Sequence, residues 1–287
     1  MAGAALSLGS CAQPASSTPS PLPWHLAAIH APEAWRVTQG EGEVIAVLDT
    51  GLTDLALPGL RKREVGPSPQ PDTNGHGTAV TTLAAGSGDL GVWGVAPSAR
   101  VLSISVLDTS GEISATKVVA GIYAAVAQGA SVINMSFGQT SDNPLIRAAV
   151  DYAAGRGVVI VAAAGDTASP SPLFPADLAG EVIAVRALAD NGAPPLSANT
   201  IGVNGIDAPG ENLPALRVEG GVLVEANSDG SSMATAVVTG SVALLAACVH
   251  RKHGSMLNQQ TLVRALHESA QHKPFFNLSV ALHMIGC

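Results

Sequence analysis

The chain has 287 residues, with 22 acidic and 14 basic side chains that give a formal net charge of -8. Hydrophobic residues make up 47% of the chain, charged residues 13% and aromatic residues 3%. This apolar content argues against disorder for most of the chain, and the length allows one large domain or two modest ones. The acidic balance, with no basic cluster larger than Arg61, Lys62 and Arg63, argues against nucleic-acid binding.

The first 23 residues differ in composition from the rest. A short apolar patch at 4–9 precedes a Pro- and Ser-rich stretch at 12–23, which is typical of a flexible tether. Residues 8–11, Leu-Gly-Ser-Cys, resemble the box at which bacterial lipoproteins are cleaved and lipidated. No Lys or Arg precedes the patch, however, and the patch is shorter than the apolar region of a signal peptide. We expect a disordered targeting or tether segment at 1–23 and one domain at 24–287. Two locations stay open: extracytoplasmic, with a lipid anchor at Cys11, or cytoplasmic, with an incidental Cys11.

Strand-like apolar runs then alternate with helical segments. The predicted strands are 44–48, 101–107, 132–135, 158–163 and 182–185, and the predicted helices are 79–85, 114–128, 145–155 and 259–270. Near-continuous Val, Ile and Ala strands that alternate with helices indicate a parallel sheet covered on both faces. We therefore predict a doubly wound α/β domain with a mostly parallel sheet and helices on both faces.

The longest apolar run is 233–248. It is shorter than the roughly 20 apolar residues of a membrane-spanning helix, so a buried core helix is the better interpretation. The three cysteines are too few for a disulfide framework, and Cys248 is by default a buried small hydrophobe. Cys248 and Cys287 could pair, which the sequence alone does not decide.

Three polar residues interrupt the apolar pattern where a parallel sheet would place chemistry. Asp49 directly follows the first strand, His76 lies between two glycines, and Ser232 begins the long apolar run. A serine nucleophile needs a base to take its proton, and the base needs a carboxylate to fix its tautomer. A turn-forming Asp, a loop His and an N-cap Ser are the ordinary alternatives, but Asp, His and Ser in this order form a known catalytic arrangement.

Over 24–270 the sequence resembles the subtilisin-like serine proteases, or subtilases. The motifs that carry the resemblance are VIAVLDTG, NGHGTAV, GVAPSARVLSISVL, VINMSFG, VVIVAAAGD, DAPG and GSSMATAVVTG, in the order and spacing of that family. The resemblance implies a serine endopeptidase of subtilisin-like fold that works through an acyl-enzyme. Ser232 would be the nucleophile, His76 the general base and acid, and Asp49 its orienting partner. The alternative is a catalytically impaired domain that binds peptides without turnover.

The resemblance also assigns residues to a peptide or protein substrate. Ser136, Phe137 and Gly138 should form an edge that pairs with the substrate backbone, and the turn at Gly111 should flank the other side. Ala163, Ala164 and Gly165 should line the pocket for the residue before the cleaved bond. Their small size favours a medium or large apolar residue there, while Phe137 could instead be a plain core aromatic. We expect the protein to be a monomer.

Asp166 is the largest departure from the family pattern. Most subtilases have Asn at this position, whose side-chain amide donates to the oxyanion in the oxyanion hole. An ionised carboxylate would repel that charge, and losing one donor typically costs about 10²–10³ in rate. A protonated Asp166 could donate, so we expect a slow or acid-favouring peptidase.

A second departure concerns metal binding. The stretch 57–60 lacks the Asp that many relatives use for calcium. Because hard cations need several oxygen ligands, we predict no calcium at that site, while other calcium sites stay open. We expect no other metal and no cofactor.

Overall fold

The computed structural model describes residues 22–64, 70–254 and 258–287. Nearly all of the expected tether, including Cys11 and its lipid anchor, lies outside the described residues, and these expectations stay predictions.

Seven strands form the central sheet, in the order β2-β3-β1-β4-β5-β6-β7. They are β1 Val44–Asp49, β2 Arg61–Glu64, β3 Arg100–Ser105, β4 Val132–Met135, β5 Val159–Ala163, β6 Val182–Leu188 and β7 Ile206–Pro209. All neighbouring strands are parallel. Every residue of β1, β4 and β5 is buried, which explains their near-continuous apolar sequences.

Helices cover both faces of this sheet. They are α1 Trp24–Ala28, α2 Ala31–Ala34, α3 His76–Ala85, α4 Ala115–Ala127, α5 Pro144–Ala154, α6 Ser231–His253, α7 Gln259–Ser269 and α8 Leu278–Met284. Alternate residues of β1 enter two separate cores: Ile45 and Val47 pack with α3 and α6, whereas Ala46 and Leu48 pack with α4 and α5. The predicted doubly wound α/β fold is therefore confirmed.

Helix α6 runs through the centre of one of these cores. Among the described residues it is the one helix long and apolar enough to cross a membrane, but 94% of its most apolar stretch is buried inside the protein. The interpretation as a buried core helix is thus the right one. A disulfide joins Cys248 on α6 to Cys287 at the end of the chain.

The structure also contains elements that the apolar pattern did not predict. Strands β8 Leu213–Glu219 and β9 Val222–Ser228 form an antiparallel hairpin that packs on α3. Polar residues interrupt both strands, but the Gly-Gly turn between two runs rich in Val and Leu is itself a hairpin signal. In addition, α3 begins at His76 rather than at residue 79, so the candidate base is the first residue of a helix.

Candidate active site

The Asp49 and His76 side chains meet at the carboxyl end of β1. Asp49 is the last residue of that strand and is fully buried, and its Oδ1 lies 2.7 Å from Nδ1 of His76. The Asp49 Oδ1 atom also accepts a hydrogen bond from the backbone N–H of Thr50 at 2.8 Å. Opposite an ionised carboxylate, the Nδ1 atom of a neutral imidazole carries the proton, so Nε2 keeps the lone pair that a general base needs.

Neighbouring charges control the protonation of His76. Burial by itself would lower the pKa of His76, but the charge and hydrogen bond of Asp49, together with the charge of Asp72, raise it above its usual value. The positive charge of Arg217 opposes this increase in part. His76 must be neutral to accept a proton, so a raised pKa moves the onset of base catalysis to higher pH.

Asp72 fixes the turn that carries His76. This carboxylate is 2% exposed and accepts five hydrogen bonds. Two come from the backbone N–H groups of Asn74 and Gly75, two from the N–H and hydroxyl of Thr78, and one from the Thr50 hydroxyl. Because these donors lie on both sides of His76, Asp72 orients the imidazole through the backbone.

Ser232 is the second residue of α6 and sits on a buried chain of polar side chains. Its hydroxyl donates to the carbonyl oxygen of Ser136 at 2.8 Å, and the Ser136 hydroxyl donates to the Ser232 carbonyl at 2.9 Å. Below them, the Asn134 amide donates to the Ser136 hydroxyl and accepts from the Thr239 hydroxyl, each at 2.9 Å. This chain ties the start of α6 to the end of β4. The Ser232 hydroxyl thus points at Ser136 rather than at His76.

Asp166 lies at the N-terminus of α6, but not in the way the sequence led us to expect. Its carboxylate accepts from the Ser231 backbone N–H at 3.0 and 3.1 Å and from the Ser231 hydroxyl at 2.8 Å. A negative charge at this place stabilises a helix. Asp166 is exposed, and the expectation of a slow or acid-favouring peptidase stays a prediction.

Two more carboxylates share this side of the site. Burial raises the pKa of Glu211, and the charges of Asp229 and Asp166 raise it further. The carboxylate of Asp229 also accepts from the backbone N–H of Asn212 at 2.6 Å. Three carboxylates thus lie near one another at the start of α6.

The expected substrate-binding residues lie at neighbouring strand ends. Ser136, Phe137 and Gly138 follow β4, and Gly111 lies in the loop after β3, with β1 and Asp49 between them. Among the described residues, no partner is recorded for the backbone groups of Phe137 and Gly138. Phe137 is buried in the core that also contains residues of α4 and α5, which agrees with the core-aromatic interpretation of its ring.

Gly111 belongs to a turn that is fixed to the His76 loop. The Asp108 carboxylate accepts from the backbone N–H groups of Ser110 and Glu112 at 2.8 and 3.0 Å. The Asn74 amide then donates to the Thr109 carbonyl at 3.0 Å, which joins this turn to the one that Asp72 orders. Among the described residues, no backbone hydrogen bond joins Gly111 to residues 136–138.

Ala163, Ala164 and Gly165 form a wall at the end of β5. Ala163 and Ala164 are buried, and the fully buried Asn199 holds the wall in place by donating to the Ala164 carbonyl at 2.9 Å. The Asn199 amide oxygen also accepts from the backbone N–H groups of Thr167 and Ser169 at 3.0 and 2.9 Å. One side chain therefore fixes the backbone on both sides of Asp166.

No metal-binding cluster is found in the parts of the chain at 22–64, 70–254 and 258–287. No three His, Cys, Asp or Glu side chains there could hold an ion. The expectation of no calcium at 57–60 stays a prediction.

The sequence patterns did not indicate three residues that order the site. Asp72, Asn134 and Asn199 are buried polar residues whose partners are largely backbone groups or side chains distant in the chain. Asn134 gave the clearest signal, because it interrupts the apolar strand β4. Asp72 and Asn199 lie in loops, where polar residues are expected and carry little information.

The fold and the site together are typical of serine hydrolases with a doubly wound sheet, and comparisons with known proteins identify the family. A model of the subtilase family matches residues 40–280. Subtilisin Savinase of Lederbergia lenta is 36% identical over 244 residues, which cover 83% of this chain and 88% of that protein. Thermitase of Thermoactinomyces vulgaris is 38% identical over 229 residues, which cover 76% of this chain and 80% of that protein. An alkaline protease of Shouchella clausii is 36% identical over 244 residues, but this match covers only 62% of that protein.

Comparison with solved structures supports the same family assignment. The protease domain of PatA superimposes with a TM-score of 0.76 at 26% identity, over 87% of this chain and 97% of that chain. The prenylagaramide maturation protease PagA also gives a TM-score of 0.76, at 28% identity, over 89% and 98% of the two chains. The chain therefore belongs to the subtilase family and is a subtilisin-like serine endopeptidase, which acts on a peptide or protein substrate.

Proposed function

We propose that Asp49, His76 and Ser232 are the catalytic triad of this endopeptidase. The observation that carries the proposal is the 2.7 Å contact between Asp49 and His76 at the end of β1, where the protonated Nδ1 leaves Nε2 free to act as base. Ser232 at the start of α6 is the matching nucleophile, because the helix N-terminus presents backbone N–H groups to a developing oxyanion.

In the proposed reaction the Ser232 hydroxyl first leaves the Ser136 carbonyl. It then donates its proton to Nε2 of His76 as the oxygen attacks the substrate carbonyl, and a tetrahedral oxyanion forms. Collapse of this intermediate breaks the peptide bond, and His76 returns the proton to the leaving amine. Water repeats the sequence on the acyl-enzyme, with His76 again as base, and Asp49 stabilises the imidazolium in both steps.

The substrate is proposed to bind as an extended strand over the end of β1. The edge at 136–138 and the turn at Gly111 follow strands on either side of β1, two strand spacings apart, or roughly 10 Å. A single peptide strand placed between them would lie about 4.8 Å from each, the distance of a hydrogen-bonded neighbour. The free backbone groups of Phe137 and Gly138 support this mode.

We propose that Asp166 makes the enzyme slow. Its carboxylate faces the start of α6, offers no donor to the oxyanion, and adds a negative charge beside it. We therefore propose a slow enzyme.

The test is labelling with a fluorophosphonate serine probe across pH 5–8. Modification at Ser232 is expected in the wild type and should be lost in Ser232→Ala and strongly reduced in His76→Ala. The exposed Ser171 offers a matched control, since Ser171→Ala should label like the wild type. If the folded wild type is not modified at any pH, the enzyme is not a serine peptidase of this mechanism, and peptide binding without turnover becomes the better account.

We propose that the protein acts outside the cytoplasm. The disulfide between Cys248 and Cys287 supports this location, because such bonds persist mainly in oxidising compartments. Fractionation of cells, with thiol labelling before and after reduction, tests it. A cytoplasmic protein with both thiols free would contradict the proposal.

A further inference from the structure

Leu173 lies between the two walls that would receive the side chain before the cleaved bond. Its backbone N–H donates to the Ala164 carbonyl at 2.9 Å, and the next residue, Phe174, exchanges two backbone hydrogen bonds with Gln139, each 2.9 Å long. The segment at 173–174 is thus bonded to the Ala163–Gly165 wall on one side and to the strand that continues from Gly138 on the other. It forms the floor between them.

The Leu173 side chain spans this floor. A Cβ atom built on Gly138 would lie 2.7 Å from Cβ of Leu173, and one built on Gly165 would lie 2.7 Å from its Cδ1 and 2.9 Å from its Cγ. Contacts this short leave no space for even one added carbon atom. The side chain therefore reaches from one wall to the other. It is partly exposed.

Buried hydrogen bonds fix the two backbone segments that flank Leu173, at 163–165 and at 136–138. Asn199 is fully buried, bonds the Ala164 carbonyl, and donates its own backbone N–H to the Gly165 carbonyl at 3.0 Å. On the other side, the Ser136 hydroxyl is tied to α6 through the Ser232 carbonyl. A large substrate side chain would have to displace Leu173 or break these buried hydrogen bonds, both of which cost free energy.

We propose that Leu173 closes the primary specificity pocket and restricts the residue before the cleaved bond to Gly, Ala or Ser. This inference rests on the proposed function, since it assigns the pocket to the same site. It reverses the expectation, drawn from the small residues at 163–165, of a medium or large apolar residue. Those residues are small because Leu173 already occupies the space beside them.

The first experiment measures kcat/KM on tetrapeptide p-nitroanilides that differ only in the last residue: Gly, Ala, Leu or Phe. The wild type should prefer Ala to Phe by at least about tenfold, the discrimination that a few methylene groups give in a closed pocket. Leu173→Gly should reverse this preference, and Leu173→Ala should give an intermediate ratio. Leu196 is 99% exposed, so Leu196→Ala is a matched control that should keep the wild-type ratio. Equal cleavage of the Ala and Phe substrates by the wild type, or an unchanged ratio in a folded Leu173→Gly, would overturn the proposal.

A binding experiment separates the pocket from the chemistry. The Ser232→Ala variant is titrated calorimetrically with N-acetyl tetrapeptide acids that end in Ala or in Phe, which mimic the product. Tighter binding of the Ala peptide supports the closed pocket, even if no substrate is turned over and the proposed function fails. Equal affinity, tighter binding of the Phe peptide, or no binding of either, argues against it.

Discussion

Replacing Asp166 with Asn tests how this site stabilises an oxyanion. The carboxylate now accepts both the N–H and the hydroxyl of Ser231. An Asn side chain in the same place can keep its oxygen on the Ser231 N–H and turn its amide group toward the substrate. One added oxyanion donor is worth about 10²–10³ in kcat, or roughly 2.7–4 kcal/mol. We therefore expect Asp166→Asn to raise kcat about 100-fold.

The same change should slightly weaken the fold. The carboxylate charge at the start of α6 is worth about 0.3–1 kcal/mol, so the free energy of unfolding should fall by no more than that. The assay is kcat on a peptide anilide, with urea unfolding of the same preparation.

Asp229→Asn is the matched control, because it removes a negative charge from the same side without adding a donor. A single exposed charge is worth about 1 kcal/mol, or roughly fivefold in rate. If kcat rises equally in both variants, the rise comes from the lost negative charge and not from an added hydrogen-bond donor. If kcat of Asp166→Asn does not rise, the role assigned to Asp166 is wrong.

Three further predictions concern pH and stability. The acid limb of kcat/KM should have its midpoint above about 6.5, the usual histidine value, because the pKa of His76 is raised and only the neutral ring is a base; a midpoint below 6 would contradict the geometry. His25 is fully buried without a partner for either ring nitrogen among the described residues, and burial lowers its pKa to about 3. The unfolded chain therefore binds a proton that the folded chain does not, so stability should fall as pH drops from about 6.5 towards 3, and His25→Leu should flatten that slope in acid titrations of the unfolding free energy. The partners of the Cys248–Cys287 bond are separated by 39 positions in the sequence, so opening the bond should lower the free energy of unfolding by about 3–4 kcal/mol. Urea unfolding of Cys248→Ser beside the oxidised protein measures this loss, and equal stability of the two proteins would refute it.

The five inner strands of the sheet and its longer flanking helices could be predicted from the sequence, because burial on both faces leaves an unmistakable pattern, whereas the edge strands β2 and β7 and the short helices α1, α2 and α8 were not predicted. Strands β1 and β5 consist almost wholly of Val, Ile, Leu and Ala, and no exposed face dilutes that signal. The β8–β9 hairpin was missed because one side of it is exposed and polar residues interrupt its apolar run. The start of α3 was missed because the glycines around His76 favour a turn over a helix.

The candidate triad could be predicted for a related reason. Asp49, His76 and Ser232 are polar residues at the ends of apolar elements, where their types and order carry information. Leu173 and Asn199 carry no such signal, since a leucine and an asparagine in loops are ordinary. What gives them a role is their position across the chain, against Gly138 and Gly165 for the leucine and against Ala164 for the asparagine. Only the folded backbone supplies that information.

The pocket and the oxyanion side of this site are not independent. Gly165 contacts Leu173 on one side, and on the other its backbone N–H donates to the Ser231 hydroxyl at 3.2 Å. That hydroxyl in turn donates to Asp166, so a single loop connects the floor of the pocket to the start of α6. Substitutions of side chains that share partners in this way typically have interaction energies of about 0.5–3 kcal/mol, so the effects of the single substitutions are not additive. A pocket opened at Leu173 should therefore also change kcat/KM for small substrates that never touch the new space, because Leu173 packs against Gly165 in the loop that carries Asp166.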